Sequence, residues 1–140
     1  MGDTYDKYSA KWKKLTSAEQ DYISWHPWDA DDIERDALMA LKEAEKRFGG
    51  GSLHNGAGDA FRHCYWSALL SRDIGKENAL KFTTAHEENP GNPKEEKEMD
   101  LWNNAVGVEI GAAGPNVSDG ALSNRCMDSL LKGNLKVLKP

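Results

Sequence analysis

The sequence predicts an all-α fold, an irregular or orthogonal bundle of about six helices. Three observations carry this expectation. Apolar residues recur at helical spacing almost throughout the chain. Glycine and proline fall between the periodic stretches, where they punctuate helices. No segment shows the period-two alternation of a half-buried strand.

The first helix is expected from about Ser17 to Trp25, with Ser17 as N-cap, Gln20 completing a capping box and Pro27 beyond its end. The second carries Ile33, Ala37, Ala40, Leu41, Ala44 and Phe48 as an apolar stripe. Asp29, Asp31 and Asp32 sit at its electropositive N-terminal end, and Gly49, Gly50 and Gly51 stop it. A glycine-rich connector then delivers His54 to the start of a third helix, about Gly58 to Ile74, ended by Gly75. The fourth spans about Glu77 to Glu88 and stops at Asn89-Pro90-Gly91, and the fifth spans about Glu95 to Ala112, closed by Gly114-Pro115. The last begins near Ser118, presents Leu122, Cys126 and Leu130 on one face, and ends at Gly133.

The 140 residues read as a single domain, with the chemistry concentrated at about 54–104. An apolar content of 39% and a charged content of 29% suit a soluble globular protein and argue against wholesale disorder. No apolar run approaches the roughly 20 residues needed to cross a bilayer. Met1-Gly2-Asp3-Thr4-Tyr5 lacks the basic and then apolar layout of a secretory signal, which leaves open export by a specialised machine or as part of a longer polypeptide. A net charge of −5 supplies no global basic field, so nucleic acid is disfavoured as a partner. The clusters Lys11, Lys13, Lys14 and Lys132, Lys136, Lys139 read as solvated surface. Cys64 and Cys126 are too few for a disulfide framework and read as two buried free thiols.

The segment from His54 to Asn104 holds three of the four histidines, with carboxylates and carboxamides among large apolar residues. At about 100° per residue, Asp59, His63, Trp66 and Leu70 share one sector of the third helix, while Phe61, Cys64, Tyr65 and Ala68 cover the opposite side. Large groups on both faces make this helix central. Asp59 and His63, at i and i+4, can touch. The pair suits two metal ligands, or a carboxylate orienting a histidine general base; the plain alternative is a buried pair that only fastens helices. Cys64 follows His63 but projects toward another sector, so it reads as core. His86 shares a face with Ala79, Phe82 and Thr83 and is expected to point inward, whereas the adjacent Glu87 reads as a surface carboxylate unless the site lies at a helix end.

On the fifth helix, Met99, Trp102, Asn103, Val106 and Ile110 form one sector, and Asp100, Asn104, Gly107 and Gly111 another. The glycines would let a neighbouring helix approach closely, with Asp100 and Asn104 facing it. Asp59, His63, His86 and Asp100, with His54 at a helix N-terminus, offer mixed nitrogen and oxygen ligands of the kind that suits zinc or another divalent metal. Such a metal would generate the nucleophile that the chain otherwise lacks, since no Gly-x-Ser-x-Gly elbow is present. No compact zinc motif is matched either. A metal-free alternative keeps His63 as base, Asp59 as its partner and Asn103 or Asn104 as stabilisers of developing charge.

As a set, His54-Asn55-Gly56, Asp59-Ala60-Phe61-Arg62-His63, Ala85-His86-Glu87 and Met99-Asp100 with Asn103-Asn104-Ala105-Val106-Gly107 resemble a bacterial domain family of uncharacterised function. Its approximate pattern is HNG-x-x-DAFRH, then AHE, then MDL-x-NN-x-VG. Its members occur as small proteins and as C-terminal domains of large secreted, Rhs-like or polymorphic toxins. The resemblance covers about residues 45–112 and assigns no reaction. It implies that Asp59, His63, His86, Asp100, Asn103 and Asn104 form a shared site, that the role is that of an effector or toxin, and that a cognate immunity protein is a partner.

The leading expectation is therefore a toxin-type hydrolase with a divalent metal such as zinc, acting on a phosphoester, lipid or cell-envelope substrate. One alternative is a non-enzymatic interaction domain in which the His, Asp and Asn groups form a buried network. Another is a membrane-disrupting effector, disfavoured because no helix is long and apolar enough to span a bilayer.

Overall fold

The computed structural model describes residues 11–139. The stretch Met1–Tyr5, read above for a signal, lies outside them. Six α-helices follow a short helical stretch at 11–14: α1 (Ser17–Trp25), α2 (Ala30–Phe48), α3 (Ala57–Ile74), α4 (Lys76–His86), α5 (Lys94–Gly111) and α6 (Asp119–Leu131). One turn of 3₁₀ helix, Pro27–Asp29, joins α1 to α2, and no strand occurs among the described residues. The fold is all-α, and the helix boundaries fall within two residues of those expected.

The cap of α1 is displaced by one residue from the expected position. Thr16 holds extended backbone, its Oγ1 accepts from the Glu19 N–H at 3.0 Å, and Glu19 Oε1 accepts from the Thr16 N–H at 2.9 Å. The Thr16–Glu19 pair wins over Ser17–Gln20 because a carboxylate is the stronger acceptor for an orphan backbone N–H. Gln20 instead donates to the Trp12 carbonyl at 2.8 Å. The Thr16 hydroxyl also donates to the Ala85 carbonyl at 2.8 Å, which ties the start of α1 to the end of α4.

Along α2 the buried residues are Ile33, Asp36, Ala40 and Ala44, with Phe48 half-buried. The small side chains of Ala40 and Ala44 let α3 lie close. The expected stripe is rotated slightly: Ala37 is exposed and Leu41 half-buried, and Asp36 turns inward instead. Gly49, at φ 68°, ends the helix with its N–H on the Glu45 carbonyl.

The central element is α3, which packs against α2, α4, α5 and α6 and buries both of its faces. Its tightest partner is α5. A Cβ placed at Gly107 would stand 2.1 Å from the Cys64 carbonyl oxygen, and one at Gly111 would stand 2.0 Å from that of Ala68. The backbones are thus in contact across glycine, which brings Asp100 and Asn104 onto α3. Ser71 and Ser67 of α3 close the seam, donating to the Val108 carbonyl at 2.7 Å and to Asn104 Oδ1 at 3.2 Å. Cys64 and Cys126 are free thiols in the core, as expected. No helix among the described residues is long and apolar enough to cross a membrane.

Candidate functional site

The site begins at a strained residue. Asn55 has φ 61°, a conformation that asparagine tolerates better than most residues with a side chain. The turn aims its backbone N–H at Asp59 Oδ2, at 2.7 Å. Its carbonyl accepts from the N–H groups of Leu138 and Lys139, so the C-terminal tail holds the turn in place. On the first turn of α3, Asp59 Oδ1 also accepts from Arg62 Nη2 at 3.0 Å and stands 3.1 Å from His63 Nδ1.

These contacts fix the histidine. His63 Nδ1 faces two acceptors, Asp59 Oδ1 and the Asp59 carbonyl at 3.0 Å, so Nδ1 carries the proton. Nε2 then faces Asp100 Oδ2 from α5 at 3.5 Å. Burial opposes charge on both partners of the pair. Burial would raise the Asp59 pKa, but the hydrogen bond and charge of His63, the Asn55 N–H and Arg62 hold it well below the carboxylate range. Burial would lower His63, yet the Asp59 hydrogen bond and the Asp100 charge raise it.

Asp100 is less well satisfied. Its Oδ1 is buried with no hydrogen-bond partner, and its pKa is raised by burial and by the Asp59 charge against the opposing pull of His63. Glu87 is the residue that sequence reasoning missed. It is buried, accepts from Asn104 Nδ2 at 3.2 Å, and has its pKa raised by burial and by Asp100, against the pull of His63. Glu87 caps the C-terminus of α4, where helical projection no longer predicts direction, so only its place beside His86 pointed to it.

His86 departs from expectation. Its side chain is 45% exposed and stands at the rim, with Nδ1 3.0 Å from Glu19 Oε2 and its ring 5.2 Å from that of Trp66. Burial would raise the Glu19 pKa, but His86 and the Thr16 bonds take it below the usual range. The inward face of α4 is used by Phe82 and Thr83, and His86, the last residue of the helix, lies beyond the core they fill. His54 is also peripheral, 74% exposed and 3.5 Å from Glu96. Asn103 is buried outside the site and works structurally. Its amide donates to the Lys136 carbonyl at 2.9 Å and accepts from the Lys136 N–H at 2.8 Å, pinning the C-terminal segment.

Asp59, Arg62, His63, His86, Glu87 and Asp100 all line one open cavity of about 240 Å³. Five carboxylates face it against one lysine and one arginine. Asp59, His63 and Asp100 each offer a ligand atom, and these atoms lie within 4.8 Å of one another, so the group could hold a metal ion. Within it the roles are unequal. Asp59 is already engaged by Asn55, Arg62 and His63, whereas His63 Nε2 and the Asp100 carboxylate are the free pair. An arrangement in which a carboxylate sets the tautomer of a histidine whose other nitrogen is open is the usual second layer of a metal site.

No solved structure matches the chain. A family model described as Domain of unknown function (DUF6973) matches residues 20–134, a span that contains Asn55, Asp59, Arg62, His63, His86, Glu87 and Asp100. The chain therefore belongs to the DUF6973 family.

Proposed function

We propose that the protein is a divalent-metal-dependent hydrolase centred on His63 and Asp100. The observation that carries this reading is the Asp100 carboxylate in an acidic cavity, its Oδ1 buried without a partner and its Oδ2 3.5 Å from His63 Nε2. A carboxylate in that position is costly unless a proton or a cation sits beside it. A divalent ion, zinc among the candidates, would neutralise the surplus negative charge and supply an acidified water at neutral pH. Asp59 holds the His63 tautomer, Glu87 is placed to accept a proton from water, and Arg62 and His86 flank the substrate.

The charge balance also bears on substrate class. A cavity with five carboxylates repels a phosphoester unless a metal is present, while a neutral ester suffers no such penalty. The resemblance noted in the sequence adds a toxin or effector setting, with a cognate immunity protein as partner.

The test is hydrolysis of bis(p-nitrophenyl) phosphate and of p-nitrophenyl esters, with and without chelator, by the wild type and by His63→Ala. Activity that chelator abolishes and metal restores, and that His63→Ala lacks at an unchanged melting temperature, is the expected result. Equal activity in both proteins overturns the reading. Expressing the same pair in bacterial cytoplasm and periplasm tests the toxin setting, which predicts growth arrest that depends on His63.

A further inference from the structure

Beside the polar cavity lies a larger apolar one of about 650 Å³, walled by Leu15, Ile23, Ile33, Ala37, Trp66 and Phe82. The two are neighbours that share Lys14, Glu19 and His86 as lining, and a small chamber of about 80 Å³ shares wall residues with each of them. That chamber has an alanine floor, Ala37 and Ala40, and its other walls are Arg62, His63, Trp66 and His86. Two of these residues carry buried donors with no partner, Trp66 Nε1 and Arg62 Nε. Unpartnered N–H groups beside an open chamber are costly unless a ligand oxygen completes them. Trp66 is itself more than nine-tenths buried.

We infer that this combined cavity takes an acyl ester, with the hydrocarbon chain in the apolar part and the carbonyl oxygen on the donors of the small chamber. The scissile carbonyl carbon then lies between His63 and the polar cavity. This deepens the hydrolase reading and rests on it for the chemistry, though not for the binding. The water oxygen bonds to the acyl carbonyl carbon as one of its protons passes to Glu87. The ester C–O bond then breaks, the proton moves to the departing alcohol oxygen, and a carboxylic acid and an alcohol result. Around the apolar part the surface suits a lipid source. Trp25 and Trp28, both largely exposed, lie in the segment between the cavity residues Ile23 and Ala30, and Leu38 is exposed next to Ala37. Exposed tryptophan is favoured where an apolar phase meets water.

The test uses the full chain, wild type and Ala37→Phe. Position 37 is exposed on α2, so the larger ring narrows the cavity without entering the core, and a melting curve checks this. The first probe is 11-(dansylamino)undecanoic acid, read by its fluorescence rise on transfer to an apolar site. The second is a comparison of p-nitrophenyl dodecanoate with p-nitrophenyl acetate. The wild type should bind the probe and favour the long ester by at least about tenfold in kcat/KM, and Ala37→Phe should erase both the probe binding and the chain-length preference. Absence of probe binding, or equal binding and chain-length preference in the two proteins, overturns the inference. Probe binding that Ala37→Phe removes, with neither ester hydrolysed, overturns the hydrolase reading and leaves the acyl-chain site standing.

Discussion

The tautomer of His63 decides what its surroundings do. With Nδ1 committed to Asp59, only Nε2 can meet a metal or substrate. Asp59→Asn keeps the shape but removes the charge that holds the ring, and it should weaken metal binding by about 10–100-fold, as the loss of such outer partners usually does. Calorimetric titration of the metal checks this, and unchanged affinity would return Asp59 to a purely structural role. A second buried carboxyl gives a prediction in pH. Asp36 of α2 lies beside Asp73 of α3, and burial and that neighbouring charge push its pKa up to about 8 against the pull of Arg35 and Arg72. Folded protein therefore keeps a proton that unfolded chain has lost, and stability falls as pH rises from the ordinary carboxylate range toward 8, then levels. Asp36→Asn mimics the protonated form. Its melting temperature should exceed that of the wild type by a margin that grows across that window, and a constant difference would refute the assignment. At this scale the sequence was only partly legible. Asp59, His63 and Asp100 could be read because each lies within a helix, where i and i+4 geometry predicts direction. Glu87, His86 and Asn55 lie at helix ends or turns, where capping and positive φ redirect side chains.

Among the elements, the α3–α5 contact positions the site, since Asp100 reaches His63 only because two glycines let the backbones meet. Gly111→Ala forces a methyl group onto the Ala68 carbonyl and should cost about 3 kcal/mol or more, separating the helices. Gly120→Ala in the first turn of α6 meets nothing within 4 Å and serves as control, expected to be neutral or to stabilise by up to about 1 kcal/mol. Denaturant unfolding reads both, and equal effects would show that the close approach is dispensable. The α1 cap is a smaller lever. Thr16→Ala loses the capping bond and the tie to Ala85, and it should cost about 1–2 kcal/mol by the same measurement. Helix number, order and limits were legible in the sequence because Gly49, Gly75 and the Asn89–Gly91 turn interrupt strong periodicity. The glycine sector of α5 likewise announced a close neighbour. The rotation of α2 that buries Asp36 was not legible, because the charges that face it, Asp73 and Arg72, come from α3.

Across the whole molecule, an acidic polar cavity and an apolar one converge on the same wall of α3, at Arg62, His63 and Trp66. One face of the helix carries the charge-bearing groups and the next turn carries the aromatic wall, so a single buried element serves both. Convergence of this kind, contributed by α1, α2, α4 and α5 around α3, lay beyond the sequence. Periodicity gives the direction of a side chain within its own helix and says nothing of which helices meet. The proposed chemistry depends on whether the His63–Asp100 pair holds a divalent ion. Isothermal titration of metal-free protein with Zn²⁺, Mn²⁺ and Mg²⁺, in the wild type and in Asp100→Asn, tests it most directly. One equivalent of at least one ion should bind the wild type and raise its melting temperature, and Asp100→Asn, still folded, should lose that site. Absence of binding by every ion, or equal binding by Asp100→Asn, would contradict it.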